Sequence, residues 1–202
     1  MTPLLALSST YQPPDYPGEM WLDAVGGLWN EVSLRGYSLG PLRVPASTPR
    51  HVVVMYKGGS TNMRRSIRGS LIDERVEPGD LSVKSVQNDG GWSWDRPLDV
   101  LHLYIDPGWL DSVAAEIHGP GLARIDLRDS VKTRDDELAW LLSSLEKEAA
   151  DKPCGARLMI PLLQRQVGVA LIRNYATLER HDTTRTRLSS EQTRIVHEYI
   201  AE

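Results

Sequence analysis

The sequence predicts an α+β fold: an antiparallel β-sandwich or small barrel first, an antiparallel helical hairpin second, and a short C-terminal helix last. Three observations carry this. Candidate strands separated by turn signals recur at roughly ten-residue intervals over the first half. Leucines then fall at helical spacing on both sides of a Lys152-Pro153-Cys154-Gly155 break. Finally, LSSEQTRIVHEYIAE places a capping serine before an apolar stripe of Ile195, Val196, Tyr199 and Ile200.

The first region, residues 1–106, opens with TYQPPDYPGEMW, where Pro13, Pro14 and Pro17 rule out regular helix and favour an extended arm. Strands are predicted at Leu28–Tyr37, His51–Tyr56, Asn62–Arg68, Ser70–Val76, Leu81–Val86, Trp92–Asp95 and Leu98–Ile105. Turn signals stand between them, among them Gly58-Gly59, Glu77-Pro78-Gly79-Asp80 and Asn88-Asp89-Gly90-Gly91. The second region, residues 107–180, begins with a short helix at Trp109–Ile117, ended by Gly119-Pro120-Gly121. From Thr133 onward Leu138, Leu141, Leu142 and Leu145 mark one helix, with acidic residues at its front as the helix dipole prefers. Leu158, Leu162, Val169, Ile172 and Tyr175 mark its antiparallel partner. Residues 181–188 are polar and aperiodic and read as a linker. Residues 189–202 read as one helix with nothing to pack on, as though cut at a domain boundary.

Composition narrows the function. The chain has 202 residues, 41% hydrophobic and 25% charged, an ordinary globular balance. A net charge of −4 and a pI of about 5.8 argue against this segment gripping a phosphate backbone. The single cysteine, Cys154, allows no internal disulfide. No secretory leader and no run long enough to span a bilayer is apparent, so a soluble, cytoplasmic protein is expected. Six Trp and no Phe leave tryptophan and tyrosine to supply the aromatic packing.

Glu77-Pro78-Gly79-Asp80-Leu81-Ser82-Val83, Trp92-Ser93-Trp94 and the run from Leu98 to Ile105 (LDVLHLYI) resemble the regulatory domain of AraC/XylS-type transcription regulators. So does Met63-Arg64-Arg65 with Gly69 close by, and the tail resembles the first helix of that family's helix-turn-helix domain. The resemblance implies a cupin-like β-barrel that binds a small effector, a helical hairpin that pairs two subunits as a homodimer, and a DNA-reading domain after this segment. It also implies that the arm can close over the ligand.

A metal-dependent cupin needs clustered ligands, whereas His102 stands alone in its strand and His51, His118, His181 and His197 show no ligand spacing. No nucleophile elbow, phosphate loop or dinucleotide fingerprint appears, so neither a catalytic residue nor a cofactor is expected. Alternation puts Arg64 and Arg68 on one face of their strand and Arg65 on the other, among apolar neighbours. An inward Arg65 needs an anion, either Asp73 or Glu74 on the next strand or a bound ligand. Arg64-x-x-x-Arg68 also resembles the clamp with which PilZ-type receptors hold cyclic di-GMP, since a guanidinium can grip phosphate and stack on guanine. Trp92 with Trp94, and His102 with Tyr104, either line a ligand site or pack a core, and Tyr56 and Trp29 are further candidates. Any surplus of the leucine stripe (Leu138, Leu142, Leu145, Leu158, Leu162, Val169) would make the subunit contact. The expectation is a sensor of a sugar, an aromatic acid or cyclic di-GMP. A module answering to a protein partner is the alternative, and a cupin isomerase or dioxygenase a more distant one.

Overall fold

The structure, a computed structural model, describes residues 11–45, 48–88, 90–119 and 122–180. Its strands are β1 (Gly18–Gly26), β2 (Trp29–Leu39), β3 (Leu42–Val44), β4 (His51–Gly58), β5 (Thr61–Ile67), β6 (Ser70–Val76), β7 (Leu81–Lys84), β8 (Trp92–Trp94) and β9 (Leu98–Ile105). Then come α1 (Pro107–His118), β10 (Leu122–Leu127), β11 (Ser130–Thr133), α2 (Asp136–Asp151), α3 (Ala156–Tyr175) and β12 (Ala176–Arg180). The segments predicted as β6 and β9 have the observed bounds, and the others differ at their ends. The tail and linker expectations lie outside the described residues.

Five strands fall outside the predicted set: β1, β10, β11, β12 and the three-residue β3. The arm was read as extended through Trp21, yet from Gly18 it pairs with β2 through a tight hairpin at Gly26-Gly27, both at positive φ of 75° and 54°. The short β10 and β12 pair only with each other. The β11 strand is held by β7. Such strands depend on a distant partner and carry little local signal.

Two larger antiparallel sheets result. One has six strands in the order β1-β2-β9-β4-β7-β11, the other four in the order β3-β8-β5-β6. Side chains alternate across a strand, so each strand of the six-stranded sheet serves two layers. In β9, Leu101, Leu103 and Ile105 join the core beneath the helices, while Leu98, Val100 and Tyr104 join a second core against the four-stranded sheet. Burial on both faces explains why this strand reads as a nearly unbroken apolar run.

The helices are local in origin and tertiary in placement. Asp106 caps α1 by accepting from the Trp109 amide at 3.1 Å, with Pro107 at the first helical position. Asp135 caps α2 by accepting from Leu138, and Asp136 and Glu137 sit in its first turn. Lys152 and Gly155, both in left-handed conformation, make the break before α3. Leu138, Leu141, Leu142 and Leu145 of α2 and Leu163, Val167 and Leu171 of α3 share one core with the six-stranded sheet. The division expected at residue 106 therefore gives way: β11 completes the sheet and the hairpin is packed onto it. No helix among the described residues is long and apolar enough to cross a membrane.

Candidate functional site

Between the two sheets the packing is incomplete and leaves a cavity of about 200 Å³. Val52, Val54 and Tyr56 of β4, and Leu98, Val100 and His102 of β9, form its floor. Met63 of β5, with Trp92 and Trp94 of β8, forms the opposite wall. Lys84, at the end of β7, brings an ammonium to the lining; it is buried and donates to the Ser85 carbonyl at 3.2 Å. An apolar hollow with few polar groups is the usual character of a small-molecule site.

Residues 11–17 lie across the mouth. Arg35 of β2, almost wholly buried, donates to the Pro13 carbonyl at 2.8 Å and pairs with Asp15 at 3.1 Å and Asp23 at 2.7 Å. The Tyr37 hydroxyl donates to the Pro14 carbonyl at 3.1 Å. Tyr16 sets its ring edge-on to Tyr37 at 5.3 Å and to His102 at 5.5 Å. Tyr11 bonds Thr48 at 2.6 Å and lies 4.3 Å from the Arg50 guanidinium. The prolines suit this seat because an extended segment without internal hydrogen bonds leaves its carbonyls for the protein below.

Burial governs the ionisation of this cluster. It pushes the His102 imidazole down to about 3, so the ring is neutral at physiological pH, with Nδ1 and the Tyr104 hydroxyl 3.0 Å apart. It pushes Tyr16 up to about 12 and holds Tyr56 and Tyr104 well above the usual phenol range. The cup thus presents neutral hydrogen-bonding groups beside the Lys84 ammonium, with the Asp15 carboxylate of the arm also in its lining.

The expected site residues separate into groups. Trp92, Trp94 and His102 line the cavity, as does Tyr56, whereas Tyr104 lies wholly buried beside His102. Trp29 packs on the opposite, helix-covered face. The arginines scatter. Arg64 is exposed and paired with Asp73 at 2.5 Å, directly across the β5–β6 register. Arg68 is 77% exposed in the β5–β6 turn. Arg65 alone points inward, fully buried, with its guanidinium 4.5 Å over the Trp92 ring.

Its partner corrects the expectation of Asp73 or Glu74. Arg65 pairs with Asp129, just before β11, and donates to the Val83 carbonyl at 3.0 Å. Asp73 shares the outer face with Arg64, and Glu74 stands opposite Met63 rather than Arg65. Burial lowers the Arg65 pKa, and the Asp129 carboxylate opposes that loss.

Of the six residues expected at a subunit contact, Leu138, Leu142 and Leu145 are fully buried within the chain and so are closed to a second subunit. Val169 is partly buried against the same core. Leu158 and Leu162 stay 74% and 57% exposed, and Trp140 and Met159 of the same helix pair are exposed as well. Arg35, Tyr37, Tyr16 and Lys84 were missed. The signal available was a charge at the inward parity of an apolar strand, as in SLRGYSL and LSVKSV. Among the described residues no group of three or more His, Cys, Asp or Glu is arranged to hold a metal ion.

No protein-family model matches the chain, and no curated protein matches it. Solved structures do resemble it. The AraC-like transcriptional activator CuxR shares 13% identity over 88% of this chain and 62% of its own, with a TM-score of 0.49. Vicilin from Corylus avellana (hazelnut) shares 14% over 39% of this chain and 24% of its own, at 0.34. Bacillus subtilis oxalate decarboxylase shares 14% over 38% and 21%, also at 0.34. The chain thus spans less than two thirds of each of them. All three scores fall below 0.5, so the reading of the site rests on its own geometry.

Proposed function

We propose that this chain is the effector-sensing and dimerising part of a cytoplasmic AraC-type transcription regulator, a receptor and not an enzyme. The observation that carries the reading is the aromatic-lined hollow between the sheets with residues 11–17 seated over it. The sequence resemblance in EPGDLSV, LDVLHLYI and the tail supports it. In this reading the two sheets are a cupin-like cup. A ligand touching Tyr16 favours the seated arm, because a ligand shifts an equilibrium by its differential affinity for the two states. Arg50 offers a route onward: it contacts the Tyr11 ring and pairs at 3.3 Å with Asp106, the N-cap of α1. The exposed Leu158 and Leu162 supply the subunit contact, and the regulator acts on DNA through a separate helix-turn-helix domain.

Among the three effector classes the cavity favours an aromatic acid. About 200 Å³ gives room for a single substituted ring, whereas a cyclic dinucleotide would extend well beyond the hollow. A sugar would set its hydroxyls against valine, leucine and tryptophan walls, at a desolvation cost. A ring stacks on Trp92 and Trp94, and its carboxylate turns toward Lys84.

A thermal-shift panel of aromatic acids, sugars and cyclic di-GMP tests this. An aromatic acid at a hundredfold excess over its Kd should add about 2.7 kcal/mol of stability. Val54→Met, which fills the hollow, should fold normally and abolish the shift. A shift with cyclic di-GMP that survives Val54→Met would overturn the cup as the effector site, and no shift with any acid would overturn the ligand class.

A further inference from the structure

Within the cup, His102 is only 8% exposed and is held among tyrosine rings: Tyr16 at 5.5 Å, Tyr37 at 5.3 Å and Tyr104 at 5.8 Å between centroids. Its Nδ1 meets the Tyr104 hydroxyl at 3.0 Å. Its Nε2 has no hydrogen-bond partner among the described residues, yet it is not one of the polar atoms that the packing seals away unpaired. Since the ring lines the cavity, Nε2 opens into that space. Other polar groups of the lining are engaged. The Tyr56 hydroxyl bonds Ser82 at 2.8 Å, Trp94 Nε1 donates to the Gly40 carbonyl at 2.7 Å, and the Asp15 carboxylate pairs with Arg35 at 3.1 Å.

The chemistry of the ring narrows what Nε2 can take. If Nδ1 accepts from Tyr104, the ring proton sits on Nε2, which then donates; if Nδ1 donates, Nε2 accepts. A ligand hydroxyl satisfies either tautomer, because it both donates and accepts. Burial keeps the imidazole neutral, so a carboxylate gains no ion pair here and is better met at Lys84.

The sheet register places these two groups. His102 stands opposite Val54 of β4, and Lys84 stands opposite Val52. Two strand spacings and two residues of rise put their Cα atoms about 12 Å apart, on the same face of the sheet. Both side chains reach inward from there, which leaves room for one ring carrying substituents at opposite ends. Building on the reading of the cup as an aromatic-acid receptor, we propose that His102 is its specificity-determining residue. It selects an aromatic acid with a hydroxyl para to the acid group, holding that hydroxyl on Nε2 while the carboxylate turns to Lys84. An ortho hydroxyl would lie beside the carboxylate and leave Nε2 unmet, and a polar group shut off from water without a partner is costly.

Calorimetric titration of the full chain with benzoate, ortho-hydroxybenzoate and para-hydroxybenzoate tests this. The para acid should bind at least about tenfold tighter than either of the others. His102→Gln, whose side-chain amide falls near the place of Nε2, should retain that preference. His102→Phe should bind all three acids alike, within about threefold. The readout is a ratio between ligands in one variant, so a merely structural loss would weaken all three together and leave the ratio standing. Equal binding of the three acids by the native chain, or a para preference that survives His102→Phe, would overturn the role of His102 and leave the aromatic-acid reading intact. Binding of none of them at about 10 mM would overturn both.

Discussion

The two faces of the six-stranded sheet are built from the same strands and do opposite things. Toward the helices it shows Val32, Leu34, Val53, Leu81, Val83, Leu101 and Leu103, all but inaccessible and closely covered by α1, α2 and α3. Toward the four-stranded sheet it shows Arg35, Tyr37, Tyr56, Lys84, His102 and Tyr104, together with unfilled space. The first face contributes stability through dispersion and apolar burial. The second holds polar groups out of water, each needing a partner, and leaves a hollow that a stability-driven core would have filled. Where a sheet is finished on one side and left open on the other, the open side is where a ligand would be read.

The sharpest break in that contrast comes from the buried ion pair behind the Trp92 wall. Asp129→Ala strands the buried Arg65 guanidinium and should cost about 3–5 kcal/mol in urea unfolding. A loss below about 1 kcal/mol would mean that solvent reaches Arg65. On the finished face, Leu142→Ala should cost about 2–5 kcal/mol, because the surrounding core cannot collapse into the gap. Val100→Ala on the cup floor should cost about 1 kcal/mol, since the new space joins an existing cavity. Equal losses at these two positions would erase the distinction between the faces.

A pH titration sharpens it further. His102 has its pKa depressed from 6.5 to about 3, so the unfolded chain binds a proton near pH 6.5 that the folded chain refuses until about pH 3. The contribution is whole above pH 6.5 and declines as pH falls toward 3, at up to about 1.4 kcal/mol per pH unit. His102→Gln should flatten that limb of the stability curve, and an unchanged limb would assign it to the carboxylates. The smallest effect belongs to the outer surface of the hairpin. Leu158→Ser with Leu162→Ser should shift monomer stability by no more than about 0.5 kcal/mol. Sedimentation should nevertheless show the proposed dimer lost, and a dimer that persists would move the contact elsewhere.

Much of the fold was legible because it is written locally. Turn residues such as Glu77-Pro78-Gly79-Asp80, the alternation in β5 and the leucine spacing of α2 each act within a few residues of themselves. The site was legible in part: Trp92, Trp94 and His102 could be named as candidates, but Arg35, Tyr16 and Lys84 were passed over as ordinary strand and arm residues. In β9 both faces are buried, so alternation could separate His102 and Tyr104 from Leu103 without saying which layer faced a cavity.

From its own letters the chain determined where strands alternate with turns, where the two long helices begin and break, and that Arg65 shares a strand face with Met63. Only the tertiary structure decided that Asp129, 64 residues further on, answers Arg65, that β11 closes the sheet, and that the arm rests on Arg35 and Tyr37. The reason is one of range. Propensity and capping act within a turn of helix or a hairpin, whereas ion pairs, edge strands and cavities arise where remote segments meet, and the packing of the whole chain sets those meetings.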